Sequence, residues 1–86
     1  MDKLISFVMA GEVRTKILQA LSESKKTPTL LANVIRTHQS TTSRALIRLE
    51  KEGLVKCLTP KAKLSRIYSI TDKGKKVIAE VNKINK

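Results

Sequence analysis

Two short helical patterns follow each other between Pro28 and Gly53, with only about three residues between them. The first starts at Thr27-Pro28, because threonine suits an N-cap and proline suits the first helical position, where its missing N–H costs nothing. The second runs from an N-cap at Ser40 to Glu52 and ends at Gly53, since glycine adopts a positive φ freely. The helical spacing predicts that the first helix buries Leu30, Leu31, Val34 and Ile35. In the second, the inward residues are Thr42, Ala45, Leu46 and Leu49.

Two further helical patterns precede this pair. The first covers residues 2–10, and its Phe7 lies off the apolar stripe, which leaves it open to core packing or to a dimer contact. The second runs from about Glu12 to Ser22, and a polar stretch to Lys26 then predicts a loop. The apolar residues of these two helices recur at the spacing of a buried face: Leu4, Ile5, Val8, Val13, Ile17, Leu18, Ala20 and Leu21.

After Gly53 the sequence pattern changes from helical to alternating. Residues 54–58 are β-prone, 60–63 form a basic turn, and 65–70 alternate in polarity, which predicts a β-hairpin. On the second strand, one face carries Arg66, Tyr68 and Ile70.

A last helix is predicted from an N-cap at Thr71 to about Asn85. Its apolar stripe consists of Val77, Ile78, Val81 and Ile84. The fold class is therefore mainly α with a small β-hairpin, that is α+β, and 86 residues are enough for one domain spanning 1–86. A domain this small is marginally stable alone, which favours a dimer.

Composition excludes several classes of protein. No apolar run approaches the roughly 18 residues of a membrane span, and the N-terminus does not resemble a signal peptide. The lone Cys57 fits a reducing compartment, so we expect a cytoplasmic protein. One histidine, His38, and one cysteine cannot form a His/Cys zinc site, and no catalytic constellation is visible. We therefore expect no metal, no cofactor and no enzymatic activity.

The charge is strongly basic and unevenly distributed. The chain has 18 Lys and Arg against 7 Asp and Glu, a net charge of +11. Residues 54–86 hold nine of those basic and two of those acidic side chains, so the excess lies mainly in the hairpin and the last helix. Nucleic acid is the commonest partner of such a surface.

The helix pair from Pro28 to Glu52 has the proportions of a helix-turn-helix, whose second helix enters the major groove of DNA. Its outward face offers small hydroxyls, which bond phosphates or bases, and two guanidiniums, which bond guanine through two contacts. Acidic residues occur only at the far end of this helix, at Glu50 and Glu52. The outward residues are Thr41, Ser43, Arg44, Ile47 and Arg48.

The sequence resembles the winged helix-turn-helix transcriptional regulators, with the ArsR-like and MarR-like repressors nearest in pattern. Four segments carry the resemblance: 27–32 (Thr-Pro-Thr-Leu-Leu-Ala), 40–46 (Ser-Thr-Thr-Ser-Arg-Ala-Leu), 49–55 (Leu-Glu-Lys-Glu-Gly-Leu-Val) and 66–74 (Arg-Ile-Tyr-Ser-Ile-Thr-Asp-Lys-Gly). Residues 14–21 also fit the family's second helix. The turn departs from the family in having Thr37-His38 where a glycine is common, and the cysteine pairs of metal-sensing relatives are missing.

The resemblance implies a sequence-specific regulator of double-stranded DNA, acting as a homodimeric repressor that pairs through its flanking helices, 2–10 and 71–85. The helix 40–52 would be the recognition helix in the major groove, and the wing 59–66 would contact the backbone or the minor groove. The residues implied to contact DNA are Gln39, Ser40, Thr41, Ser43, Arg44, Ile47, Arg48, Lys61, Lys63 and Arg66.

Two other functions fit the residues. A non-specific architectural protein would coat nucleic acid, and a winged helix adaptor would bind another protein. Single-stranded RNA is a poor partner for this chain, because Phe7 and Tyr68 are its only aromatic residues and stacking on bases needs more.

Overall fold

The computed structural model describes residues 2–62 and 66–84. These residues form five helices and a two-stranded antiparallel sheet, which confirms the predicted fold class. The elements in chain order are α1 (Asp2–Met9), α2 (Glu12–Glu23), α3 (Pro28–Ile35), α4 (Gln39–Lys51), β1 (Val55–Cys57), β2 (Tyr68–Ile70) and α5 (Asp72–Ile84).

Helix α2 lies at the centre of the hydrophobic core and packs against α1, α3, α4, α5 and β2. Its side chains Ile17 and Leu18 are completely buried, as the spacing predicts. The other large buried side chains come from α1, α3, α4, α5, β1 and the residue before β1, so one core joins the helices to the hairpin: Val8, Leu31, Leu46, Leu49, Leu54, Val55, Val77 and Val81.

The hairpin has a third partner that the sequence pattern does not reveal. Val55 pairs with Ile70 and Cys57 with Tyr68, while Lys26 forms a bridge to the other edge of Tyr68. The Lys26 amide donates to the Tyr68 carbonyl at 3.0 Å, and the Tyr68 amide donates back at 2.8 Å. The polar stretch after α2, which the sequence predicts to be a loop, therefore ends in a backbone bridge from Lys26 to the hairpin.

Helix α3 begins as predicted but buries a different face. The Thr27 hydroxyl accepts from the Leu30 amide at 3.2 Å, and Pro28 occupies the first turn. Leu31 and Ala32 are buried, whereas Leu30 is 46% exposed and Val34 is 51% exposed, so the predicted burial of these two residues is wrong. Almost every position of α3 is apolar, and α2 and α4 cover only one side of it.

Helix α4 starts earlier than the hydroxyl pattern suggests. Ser40 is not the N-cap; the helix begins at Gln39 with His38 as N-cap, whose side chain makes no capping hydrogen bond. The cause lies in the preceding turn, where Arg36 adopts a left-handed conformation (φ 58°, ψ 53°) and the Thr37 amide bonds to the Ala32 carbonyl. Arg36, not Thr37 or His38, occupies the position that favours glycine.

The end of α4 and the start of α5 agree with the sequence prediction. Gly53 has φ +77° after the last turn of α4, as expected for its role in ending the helix. The Thr71 hydroxyl accepts from the Gly74 amide at 3.0 Å and so caps α5. Val77, Ile78 and Val81 are buried, but Ile84 is 57% exposed and does not belong to the core of this chain. The predicted end of this helix at Asn85 lies outside the described residues.

Candidate nucleic-acid interface

The inward face of α4 is fully used in packing against α2, α3 and β1. Thr42, Ala45, Leu46 and Leu49 are buried, as predicted, and the Thr42 hydroxyl donates to the His38 carbonyl at 3.1 Å. Because this face is occupied, the opposite face of α4 points away from the core.

The outward face of α4 carries the side chains expected to contact DNA. Gln39, Ser40, Arg44 and Arg48 are exposed, and Ile47 is 59% exposed, which is unusual for an isoleucine. Thr41 and Ser43 are half-buried. A strip of polar and basic groups with one aliphatic side chain therefore lies along the helix.

The charges around α4 favour an anionic partner. The first turn of the helix contains no acidic residue, and its N-cap side chain makes no hydrogen bond to the first amides, so the N-cap does not occupy the positive end of the helix dipole. Among the side chains of residues 3–62 and 66–84, the ion pairs within 4.0 Å are Lys16–Glu12 and Lys83–Glu80, which lie on α2 and α5. No described carboxylate therefore neutralises Arg44 or Arg48.

The Arg48 side chain on α4 lies near an aromatic ring on α1. Its guanidinium carbon lies 5.9 Å from the centroid of the Phe7 ring, and that of Arg14 lies 4.1 Å from the same centroid. Phe7 is half-buried and packs against the hydrophobic core. No periodicity in the sequence connects these three positions, so only the packing of α1 beside α4 reveals the contact.

The hairpin carries the second group of predicted contacts. Lys61 and Arg66 are exposed, and Lys63 lies outside the described residues. The Arg66 Nε donates to the Ala62 carbonyl at 3.0 Å, which ties the side chain back across the loop. Tyr68 and Ile70, which share its predicted face, are buried and anchor the hairpin to the core.

No three His, Cys, Asp or Glu side chains in the described part of the chain are grouped so that they could hold a metal ion. Cys57 is half-buried in β1 and unpaired. The helices that the structure describes include none with the length and apolar character needed to cross a bilayer.

Residues 11–56, which run from the start of α2 into β1, match the sequence model of the bacterial regulatory proteins of the arsR family. The chain belongs to this family. The match includes the whole helix pair and the outward face of α4, so the predicted resemblance is confirmed, as is the prediction of a regulator rather than an enzyme. No curated protein sequence matches this arsR-family chain.

Solved structures place this arsR-family protein among winged helix regulators. It is similar to the transcriptional regulator BldR of Sulfolobus solfataricus, with 30% identity over 92% of this chain and a TM-score of 0.78. A MarR family regulator of Silicibacter pomeroyi gives 29% identity over 95% and the same TM-score. This chain spans 58% and 56% of those two chains, little more than half their length.

A third similar structure, a possible transcriptional regulatory protein fragment from Mycobacterium bovis, shares the fold alone. It has 21% identity and a TM-score of 0.78, covering 94% of this chain and 86% of its own. The similarity extends beyond the family match at 11–56 to the hairpin and α5.

Proposed function

We propose that residues 1–86 form a winged helix DNA-binding domain of a transcriptional repressor that recognises a specific double-stranded site. The observation that carries this proposal is the outward face of α4, where Arg44 and Arg48 are exposed with no described carboxylate within 4.0 Å. An exposed guanidinium with no described carboxylate beside it is available for the oxygen and nitrogen acceptors of guanine in the major groove.

The other side chains of the surface have complementary roles in this proposal. Ser40, Thr41 and Ser43 supply hydroxyls to phosphates or base edges, and Gln39 supplies an amide at the start of α4. Ile47 offers an aliphatic surface to a thymine methyl group. The basic residues of the wing 59–66 contact the backbone or the minor groove: Lys61, Lys63 and Arg66.

A homodimer through the flanking helices, 2–10 and 71–85, would present two copies of α4 to one duplex. Helices α1 and α5 pack against each other, and each has an exposed apolar residue, Met9 on α1 and Ile84 on α5. Two recognition helices about 34 Å apart read half-sites one turn of DNA apart. Bound at a promoter in the cytoplasm, such a dimer represses by blocking polymerase.

Selection of bound duplexes from fragmented genomic DNA, followed by footprinting and salt titration of the 86-residue chain, tests the proposal. One short protected region with two related half-sites supports it. The logarithm of the affinity should fall linearly with the logarithm of salt concentration, by about 0.9 for each phosphate contacted.

Two other outcomes contradict the proposal and separate its alternatives. Uniform protection of every duplex indicates an architectural protein that coats DNA. If the chain does not bind DNA even at low salt, or if its affinity for DNA does not change with salt, the result indicates a winged helix adaptor for another protein.

A further inference from the structure

Phe7 on α1 connects two arginines that lie far apart in the sequence. The Arg14 guanidinium carbon is 4.1 Å from the ring centroid and that of Arg48 is 5.9 Å away, both within the roughly 6 Å over which a cation is attracted to a ring. Arg48 is the member of this cluster on the outward face of α4. The ring is thus the point at which α1 touches the candidate DNA surface.

The Arg14 side of the cluster is held firmly. Its Nη1 donates to the Phe7 carbonyl at 2.7 Å, so one guanidinium is bound to both the backbone and the ring of the same residue. Gly11 leaves space for this side chain, because an added Cβ would lie 3.0 Å from the Arg14 Cδ. Phe7 therefore has a constrained environment, whereas Arg48 has the ring as its one described contact across to α1.

A contact of this kind reduces the freedom of an exposed arginine. An unrestrained arginine loses side-chain entropy when it is immobilised, and binding must overcome that loss. A ring that already restricts Arg48 lowers the loss when the guanidinium meets DNA. Arg48 lines one groove together with Phe7, Ile47, Lys51 and Glu52, and it is an exposed residue.

We infer that Phe7 is a positioning residue for Arg48, and that it raises the affinity for DNA through that arginine without touching DNA itself. This inference rests on the proposed function. It makes the position of α1 important for DNA binding, although the contacting groups lie on α4 and on the wing.

A double-mutant cycle tests the inference, with binding of the chain to a selected genomic duplex measured by fluorescence anisotropy. F7L should weaken binding about two- to five-fold, the range expected for loss of a cation–π contact at an exposed site. F7Y keeps the ring and should bind as tightly as the unchanged chain. In the R48A background, F7L should have no further effect. Circular dichroism and thermal unfolding of each variant show whether the fold is retained.

Three results would overturn the inference. F7L could weaken binding equally with and without Arg48, which indicates a role in folding or dimerisation. F7Y could bind DNA as weakly as F7L, which shows that the aromatic ring is not what strengthens binding. R48A could bind like the unchanged chain, in which case Arg48 does not contact DNA. The proposed function fails separately, when the unchanged chain itself selects no duplex.

Discussion

Gly74 in the first turn of α5 lies directly against the backbone carbonyl of Leu54, which immediately precedes β1. A Cβ at position 74 would collide with that carbonyl oxygen and lie 2.7 Å from the Ile70 Cγ1, closer than real Cβ atoms approach. The Thr71 amide donates to the same carbonyl at 3.0 Å, and its hydroxyl donates to the Gly53 carbonyl at 2.7 Å. The end of α4, the hairpin and α5 therefore meet at one tightly packed junction.

G74A should destabilise the protein. Alanine is the better helix former by about 1 kcal/mol, but the obstacle is backbone and cannot rotate away. Forced displacement in a packed site costs up to about 3 kcal/mol, and a backbone obstacle places Gly74 at the upper end, so after the gain in helix propensity we expect a net loss of about 2 kcal/mol in the free energy of unfolding. Urea denaturation followed by circular dichroism measures it. K75A, at the exposed neighbouring position, should change stability by less than about 0.5 kcal/mol. A G74A protein as stable as the unchanged one would contradict the packing described.

K26M should destabilise the protein although it makes a buried position more apolar. The Lys26 Nζ donates to the Ala20 carbonyl at 2.9 Å, to the Ser24 carbonyl at 3.2 Å and to the Ser24 hydroxyl at 2.7 Å. Methionine has no donor and leaves the buried Ala20 carbonyl without this hydrogen bond, which should lower the free energy of unfolding by about 2 kcal/mol.

The neighbouring exposed lysine provides the matched control for that experiment. K25M makes the same chemical change and should leave the free energy of unfolding within about 0.5 kcal/mol. Thermal and urea unfolding compare the two variants. Equal stability of K26M and K25M would show that the three hydrogen bonds contribute nothing.

R36G should stabilise the protein. Arg36 has φ 58° at the C-terminus of α3, a conformation that costs a residue with a Cβ about 1 kcal/mol and glycine nothing. Part of this gain is lost because glycine raises the entropy of the unfolded chain, so we expect about 0.5 kcal/mol. Thermal unfolding should show a higher midpoint for R36G than for R36A, which removes the same side chain but retains the Cβ. A lower midpoint for R36G than for R36A would be inconsistent with a left-handed residue here.

R44A should weaken binding to the preferred DNA site by about 1–3 kcal/mol, because a guanidinium bonded to a base edge is worth that much. Fluorescence anisotropy with the selected duplex measures the affinity. K16A removes the same charge from α2, where Lys16 pairs with Glu12 at 2.9 Å, and should have a much smaller effect. If R44A bound the site as tightly as the unchanged chain, α4 would not be the recognition helix.

Local signals were sufficient for most of the helices. The caps at Thr27 and Thr71 and the positive φ of Gly53 depend only on residues within about four positions along the chain, so the sequence predicts them correctly. The two faces of α4 were also predictable, because apolar and polar residues alternate there with a clear helical period. The same sequence segments identified the family.

Local sequence signals gave the wrong prediction at the start of α4 and for two residues of α3. The hydroxyl of Ser40 predicts an N-cap there, but α4 begins at Gln39, after the left-handed turn at Arg36. The apolar residues of α3 surround the helix, so its pattern could not indicate that Leu30 and Val34 would remain uncovered.

The amino-acid pattern thus determined where the helices and strands lie, which face of α4 is outward, and the family of the protein. These features were predictable because capping hydrogen bonds and amphipathic spacing depend on residues within one or two helical turns of each other. Packing between distant segments decided the bridge from Lys26 to Tyr68, the collision that excludes a side chain at Gly74, and the contact of Phe7 with Arg48. Such contacts depend on how distant helices and strands pack against each other, and a short stretch of sequence does not determine that packing.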